Sequence, residues 1–330
     1  MTYDARLRCM ECTVIIEWEN AILSGDDRGC LMLDAVLGQI TDMGLETEIL
    51  ILVDPEVVDV NELQRSVEPM LSKGREAGIF WRIETAEGLH YYELKNEGAK
   101  RASGDLVLFL DSDVVPDADW LKTLHTELAR DSKRIAVGGV SYVDTTSLFG
   151  RAFAAGWFFP VRPRIQRVVD PAAFIFANNL LVRSADFLAN PFPALPDGAT
   201  RGSCQRWLAD RHVDGSHVAL VQAATVSHPP PATTMGHLAV RGLAEGRDHV
   251  ADARRRNRPR WSRIGSSLRH VGKRIRQTYR IARRQPHDIG AAAMELPLII
   301  MIMTSYYGLF LVGAACAIVS PRFAARLWRI

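Results

Sequence analysis

The sequence predicts an α/β fold in which a mostly parallel sheet is wound on both sides by helices. Short apolar runs such as 47–53 and 106–110 have the length and composition of strands that are buried on both faces of a parallel sheet. Apolar residues at helical spacing, as in residues 33–43, separate these runs. The repeated strand–helix–strand order is typical of a doubly wound sheet.

The predicted strands occupy the first two-thirds of the chain. They cover residues 13–20 including a terminal turn, 47–54, 79–84, 106–110, 135–142, 174–184 and 218–226. Gly44 ends the helix that contains Leu33, Leu37 and Ile40. Asp117 can cap a second helix, whose Trp120 and following leucines share one face.

Two carboxylates, Asp111 and Asp113, follow the apolar run 106–110 with one residue between them. In an open α/β sheet, ligands bind just beyond the carboxyl ends of the strands. Two acids at that position can share one hard cation such as Mg²⁺ or Mn²⁺. Turns also collect aspartate for backbone reasons, so an ordinary solvated turn is the alternative.

The segment from Lys95 to Leu121 resembles the family 2 glycosyltransferases of the GT-A fold. Their pattern is an Asn-x-Gly helix, a Gly-Asp turn, an apolar strand, Asp-x-Asp, and then Pro before a Trp-Leu helix. The matching residues are Asn96, Gly98, Gly104, Asp105, Asp111, Asp113, Pro116, Trp120 and Leu121. The resemblance covers about residues 12–245. It implies metal-dependent, inverting transfer of a sugar from a nucleotide-sugar donor to a hydroxyl acceptor, such as a lipid or an envelope glycan.

The resemblance also implies roles for individual side chains. Contacts with the nucleotide or the sugar are expected from Glu17, Asn20, Asp54, Asn96, Asp111, Asn178 and Asn179. Asp111, Asp113 and His228 are expected to hold Mn²⁺ or Mg²⁺. Family members usually carry the catalytic base in a Glu-Asp pair, which this sequence lacks. Asp197 is the nearest acid and is therefore the predicted base.

Two other functions stay open on the residues alone. A nucleotidyltransferase also places acids at strand ends, but it usually begins with a glycine-rich basic loop for phosphate. The first turn here reads Glu-Trp-Glu-Asn (17–20), which would repel a triphosphate. A non-catalytic protein that binds a sugar nucleotide or a lipid is compatible with the missing Glu-Asp pair.

Charge divides the chain. Residues 1–253 contain 24 Lys or Arg and 36 Asp or Glu, whereas residues 254–284 contain 13 Lys or Arg and no acid. Within that basic stretch, apolar residues recur at spacings of three and four, at Trp261, Ile264, Leu268, Val271, Ile275 and Tyr279. A basic amphipathic helix of this kind is typical of a membrane interface. Nucleic acid is the rival partner for so many positive charges.

The stretch 297–319 has no charged residue and would be about 35 Å long as a helix, at ~1.5 Å per residue. That length exceeds the ~30 Å hydrocarbon core of a bilayer. It favours membrane lipids as the partner and argues against nucleic acid. A full span and a re-entrant hairpin are both open.

The predicted organisation has three parts. Residues 1–253 form the GT-A domain, 254–288 the basic linker and interfacial helix, and 289–330 the membrane anchor and tail. Positive charge is heavier before the apolar stretch than after it, which places the catalytic domain in the cytoplasm. A lipid-linked acceptor would suit that location.

Overall fold

The computed structural model describes residues 10–24, 26–89, 91–194 and 202–320. Its nine strands in this range are β1 (Cys12–Glu17), β2 (Thr47–Val53), β3 (Phe80–Thr85), β4 (Leu106–Asp111), β5 (Val115–Pro116), β6 (Arg134–Val143), β7 (Val168–Val169), β8 (Asn179–Arg183) and β9 (His217–His228). The α/β fold class predicted from the sequence is confirmed.

The helices alternate with the strands in the first half of the chain and then become longer. They are α1 (Glu19–Ser24), α2 (Asp26–Met43), α3 (Val60–Glu76), α4 (Tyr91–Arg101), α5 (Trp120–Ala129), α6 (Leu148–Gly156), α7 (Ser184–Ala189), α8 (Ser203–Val213), α9 (Met235–Arg255), α10 (Arg260–Arg284) and α11 (Leu296–Val319). Two 3-10 turns, Pro286–Ile289 and Ala293–Glu295, lie between α10 and α11.

The strands form one sheet in the order β3-β2-β1-β4-β8-β6-β9-β5, with β7 paired to β9. Pairing is parallel from β3 to β4, as predicted. It turns antiparallel where β8 lies between β4 and β6. The sheet is therefore mixed. A buried antiparallel strand shows the same continuous apolar run as a parallel one, so the residue pattern of β8 could not distinguish the two.

Both faces of the central strands are covered. Every residue of β1 and β2 is buried. Along β1, Val14 and Ile16 belong to one apolar cluster and Ile15 to another, as the two-residue period of a strand requires. The sheet is thus a rigid platform whose strand ends can hold side chains in fixed positions.

The described residues form two compact units. The first runs to Ser141 and resumes over Pro163–His228, and it contains nearly the whole sheet. The second contains Tyr142–Arg162 and the residues from Pro229 onward. The division at residue 253 stays a prediction, and α9 runs across that position.

The second unit is helical, and its helices approach closely. A Cβ on Gly246 of α9 would lie 1.9 Å from the carbonyl oxygen of Phe310 in α11, so only glycine fits there. The hydroxyl of Tyr307 donates to the carbonyl of Gly156 at 2.7 Å. The segment Ala293–Val319 has the length and composition of a membrane span, and 44% of its most apolar window is buried within the structure.

Candidate active site

The strand register brings acidic side chains to one edge of the sheet. Glu17 at the end of β1 pairs with Asp111 at the end of β4 and with Leu52 of β2. Asp113 follows Asp111 in the next turn, and Asp54 follows β2. Because parallel strands end at the same edge, the three neighbouring strands β2, β1 and β4 place carboxylates close together.

Asp111 lies at the centre of this group. The Nζ of Lys95 donates to its Oδ1 at 2.7 Å, and the Tyr91 hydroxyl lies 3.0 and 2.9 Å from its two carboxylate oxygens. Lys95 is fully buried, and Asp111 nearly so. Tyr91 and Lys95 are four residues apart on α4, which places both on the same helix face. A buried ion pair therefore fixes the position of Asp111.

Glu17 is linked to Asp111 through Asn20. The side-chain amide of Asn20 donates to Glu17 Oε1 at 2.6 Å and, at 3.4 Å, to Asp111 Oδ2. The main-chain N–H of Glu19 donates to Glu17 Oε2 at 3.1 Å. The two predicted nucleotide ligands Glu17 and Asn20 thus contact each other and border the Asp-x-Asp turn.

Negative charge accumulates at this edge. Burial, followed by repulsion from Asp111 and Asp113, raises the pKa of Glu17 well above its ordinary range, although Lys95 opposes the rise. Burial also raises the pKa of Asp111, against the attraction of Lys95. Several acids share one nearby ammonium group, an arrangement that favours an added cation.

Replacing Glu17 with Gln is expected to raise the Tm by several degrees at pH 8 and to change it little at pH 4. A carboxyl whose pKa is raised by folding contributes stability below its ordinary value of 4.5 and loses it as the pH rises. Glutamine can still accept from the N–H of Glu19, and Asn20 can turn its amide. Thermal unfolding at both pH values is the measurement.

The exposed Glu87 provides the control, since Glu87→Gln should leave both melting temperatures unchanged. Equal melting temperatures of Glu17→Gln and wild type at pH 8 would show that folding does not raise the pKa of Glu17.

Asp113 is held through its main chain. Arg28 Nε donates to the carbonyl oxygen of Asp113 at 2.5 Å, and its Nη2 donates to the carbonyl oxygen and hydroxyl of Ser227 at 2.9 and 3.0 Å. The Ser112 hydroxyl accepts from the N–H of Ala21 at 2.9 Å. Arg28 therefore joins the Asp-x-Asp turn to the end of β9, whose last residue is His228.

The donor chemistry around Asp113 fits a divalent cation. The side chain of Asp113 is 8% exposed, and Nε2 of His228 lies 3.7 Å from its Oδ2. Carboxylate oxygens suit Mn²⁺ and Mg²⁺, and imidazole is a ligand of transition metals. No cluster of three or more His, Cys, Asp or Glu side chains that could hold a metal occurs in the described part of the chain. The site therefore fits a cation that takes its remaining ligands from a bound diphosphate or from water. Metal binding by Asp111, Asp113 and His228 stays a prediction.

Two predicted nucleotide ligands have other contacts. Asp54 is buried, and its Oδ1 accepts from the N–H of Glu56 at 3.0 Å, which closes the turn after β2. The amide of Asn96 donates to the carbonyl of Phe192 at 2.8 Å and accepts from its N–H at 3.1 Å. Asn96 therefore ties α4 to the loop after α7. Its contact with a nucleotide stays a prediction that this geometry does not support.

The two asparagines at the start of β8, Asn178 and Asn179, also make hydrogen bonds to other parts of the fold. Asn178 accepts from the buried hydroxyl of Ser141 at 2.7 Å. Asn179 is fully buried, accepts from the indole N–H of Trp120 at 2.7 Å and donates to the carbonyl of Ala224 at 3.3 Å. The expected contact of Asn179 with a bound sugar would require these hydrogen bonds to break.

Asp197, the predicted base, lies outside the described residues. Asp210 follows on α8, and its side chain is exposed, as expected from the sequence. Trp18, in the turn that follows β1, is 2% exposed and therefore belongs to the core.

Sequence reasoning missed Lys95, Tyr91 and Arg28. The four-residue spacing of Tyr91 and Lys95 places both on one face of the helix that precedes β4. This spacing could have indicated that both side chains face the end of β4. Arg28 gave none, because its partners lie about 85 and 199 residues away along the chain.

Comparisons with known proteins agree with this architecture. Residues 61–184 match the family model described as Glycosyl transferase family 2. No curated protein matches the sequence. Residues 61–184 are therefore similar to the family 2 glycosyltransferases.

Solved structures share the fold at low sequence identity. One is the mannosyltransferase PcManGT from Pyrobaculum calidifontis in complex with GDP-Man and Mn²⁺, with a TM-score of 0.51, 11% identity, and coverage of 94% of this chain and 88% of that one. Another is S. aureus TarS 1-349 in complex with UDP-GlcNAc, with a TM-score of 0.50, 11% identity, and coverage of 93% and 91%. At this identity the similarity concerns the fold.

Proposed function

We propose that this protein transfers a sugar from a nucleotide-sugar donor to a hydroxyl acceptor, with inversion at the anomeric carbon. The observation that carries the proposal is the convergence of Glu17, Asp111 and Asp113 at the carboxyl edge of the sheet. Residues 61–184, which include Asp111 and Asp113, match the family. Proteins of this fold bind GDP-Man and UDP-GlcNAc, which supports a sugar nucleotide as donor. A membrane lipid or an envelope glycan is the proposed acceptor, at the cytoplasmic face of a membrane.

Asp113 and His228 would hold Mn²⁺ or Mg²⁺, with Asp111 beside them. The cation would offset the charge that develops on the departing diphosphate. Residues of the chain would hold the two acids in position. Lys95 and Tyr91 keep Asp111 in place, and Arg28 holds the main chain of the turn that presents Asp113.

A purified-protein assay tests the proposal. The full chain is incubated with UDP- and GDP-sugars, Mn²⁺ and membrane lipid extract, and both release of nucleoside diphosphate and sugar incorporation are measured. Transfer from at least one donor is expected. Calorimetric binding of a nucleoside diphosphate without turnover would favour the non-catalytic alternative, which the missing Glu-Asp pair keeps open. Release of pyrophosphate from a nucleoside triphosphate would favour a nucleotidyltransferase.

Asp197 is proposed as the general base that takes the proton of the acceptor hydroxyl. Loss of a general base typically costs 10²–10⁴-fold in rate. Asp197→Asn should therefore lower kcat by about 10²-fold or more while the donor Kd stays unchanged, as measured by transfer rates and calorimetry.

The exposed Asp210 offers a matched control, and Asp210→Asn should keep wild-type kcat. The opposite ranking of the two variants would move the base to Asp210. Normal turnover of both would place it outside residues 197–210.

A further inference from the structure

The helices of the second unit form a bundle, and its packing bears on how the apolar helix can meet a membrane. Gly242 and Gly246 of α9 approach α11 near Tyr306 and Phe310 respectively, so these two helices run in the same direction. On α10, His270 stacks on Phe310 with ring centroids 5.2 Å apart. Further along α10, at Thr278, the neighbouring part of α11 lies earlier in the chain.

Thr278 and the earlier part of α11 meet around Gly156. A Cβ there would lie 2.3 Å from the Thr278 hydroxyl and 2.8 Å from Cε of Met303. The pairs 270 with 310 and 278 with 303 show that α10 runs antiparallel to α11. The bundle therefore goes up, down and up through α9, α10 and α11.

This arrangement conflicts with a membrane span by α11 alone. Phe310 lies within about 4 Å of the helix midpoint along its axis, at ~1.5 Å per residue. If α11 crossed a bilayer, His270 would lie near the bilayer centre, with Arg269, Lys273 and Arg274 within a turn of it. Each charge at that depth is disfavoured by roughly 10²-fold, even on the mildest scale. The folded bundle therefore cannot cross the bilayer.

The open face of α10 has the chemistry of a lipid interface. Trp261, Leu268 and Tyr279 are 81%, 56% and 55% exposed. Their spacings of seven and eleven residues place them within about 20° of one another around the helix. This row is named the apolar strip of α10.

A row of cations lies beside the apolar strip. Arg269, Lys273, Arg276 and Arg280 lie roughly 60–140° from the strip around the helix, at ~100° per residue. They line an open groove of about 700 Å³ that also includes Leu268. Apolar side chains suit the acyl boundary, and the adjacent cations suit phosphate headgroups.

We propose that the second unit docks in the plane of an anionic phospholipid bilayer through this face of α10, with α11 kept inside the bundle. Trp261, Leu268 and Tyr279 enter the headgroup layer, and the four cations contact lipid phosphates. The inference rests on the membrane location proposed above. It replaces the spanning anchor expected from the sequence, and lipid binding tests it separately from sugar transfer.

The test is flotation of the full chain with vesicles of phosphatidylglycerol and phosphatidylcholine. Each Lys or Arg near an anionic surface contributes about fivefold in affinity (~1 kcal/mol). A variant with Arg269, Lys273, Arg276 and Arg280 all changed to Gln should therefore bind at least 10²-fold more weakly. Wild type should bind pure phosphatidylcholine vesicles poorly and be released by 1 M salt.

A matched variant removes the same charge around the junction of α9 and α10, at the exposed Arg254, Arg256, Arg258 and Arg260. It should lose less than tenfold. Circular dichroism confirms that both variants are folded. Equal losses in the two variants would mean that only net charge matters, and the assigned face would be wrong.

Three other results would also overturn the proposal. Resistance of bound protein to both 1 M salt and alkaline carbonate would indicate a true span. Self-association through Leu268 and Tyr279 in the absence of lipid would assign the face to a second copy of the chain. Tighter binding to duplex DNA than to anionic vesicles would assign it to nucleic acid. Vesicle binding without sugar transfer leaves this inference standing and counts against the proposed function.

Discussion

Asp113→Asn is expected to lower sugar transfer by about 10³-fold, the largest effect on activity that the site predicts. Its carboxylate is a hard, nearly buried oxygen donor next to His228 and the proposed metal ligand, and an amide binds a divalent cation far more weakly. A metal ion contributes several kcal/mol to the stabilisation of charge on the leaving group, and each ~1.4 kcal/mol is tenfold in rate. Transfer rates across a Mn²⁺ titration are the measurement.

Asp119→Asn is the matched control, because Asp119 lies six residues further along the chain, is exposed and makes no capping hydrogen bond. Its backbone is left-handed (φ 59°), a conformation that asparagine adopts as readily. It should keep wild-type activity. Wild-type transfer and Mn²⁺ affinity in Asp113→Asn would remove Asp113 from the proposed metal site.

The part of the fold from β1 to β4 could be predicted from the sequence, because the residue pattern of each strand and the order of the elements indicate the same arrangement. The strands β1 to β4 are short, apolar and separated by helices, so their parallel order follows from handedness and connection length. The antiparallel position of β8 depends on which neighbours complete the sheet. Nothing in its own residues, Asn179–Arg183, encodes that choice.

For the site, the sequence indicates which strand ends carry acids, whereas their partners depend on tertiary contacts. Asp111 and Asp113 follow from a local motif. The hydrogen bond between Asn179 and Trp120 does not follow from any local motif, because the two residues are 59 positions apart. Both residues also belong to family-like patterns. The sequence alone therefore does not distinguish a structural asparagine from a ligand-binding one, since an amide serves the core and a ligand equally well.

The apolar helix shows a further limit of local patterns. Length and composition make 297–319 a candidate span, and both criteria are also met by the central helix of a bundle. What separates the two is the charge on the helices packed against it. That information lies some 40 residues earlier in the chain, in α10, and becomes relevant only once the contacts are known.

Lys95→Met is expected to give the largest loss of stability, about 3–5 kcal/mol, because it leaves Asp111 buried without its ammonium partner. Methionine fills a similar volume, so the loss reports charge and not a cavity. Glu17 and Asp111 already have raised pKa values, and the variant should raise them further. The deficit should therefore be small near pH 4 and grow as the pH rises. Denaturant unfolding across pH measures it.

Two further variants identify the cause. In the double variant Lys95→Met/Asp111→Asn, no buried carboxylate lacks its cation, so most of the lost stability should return, and the cycle gives the coupling energy. Lys100 forms an ion pair with Glu97 on the same helix, but its side chain is 64% exposed. Lys100→Met should cost at most about 1 kcal/mol, as surface pairs do. If Lys95→Met were as mild as Lys100→Met, the buried pair would not be what holds Asp111 at the end of β4.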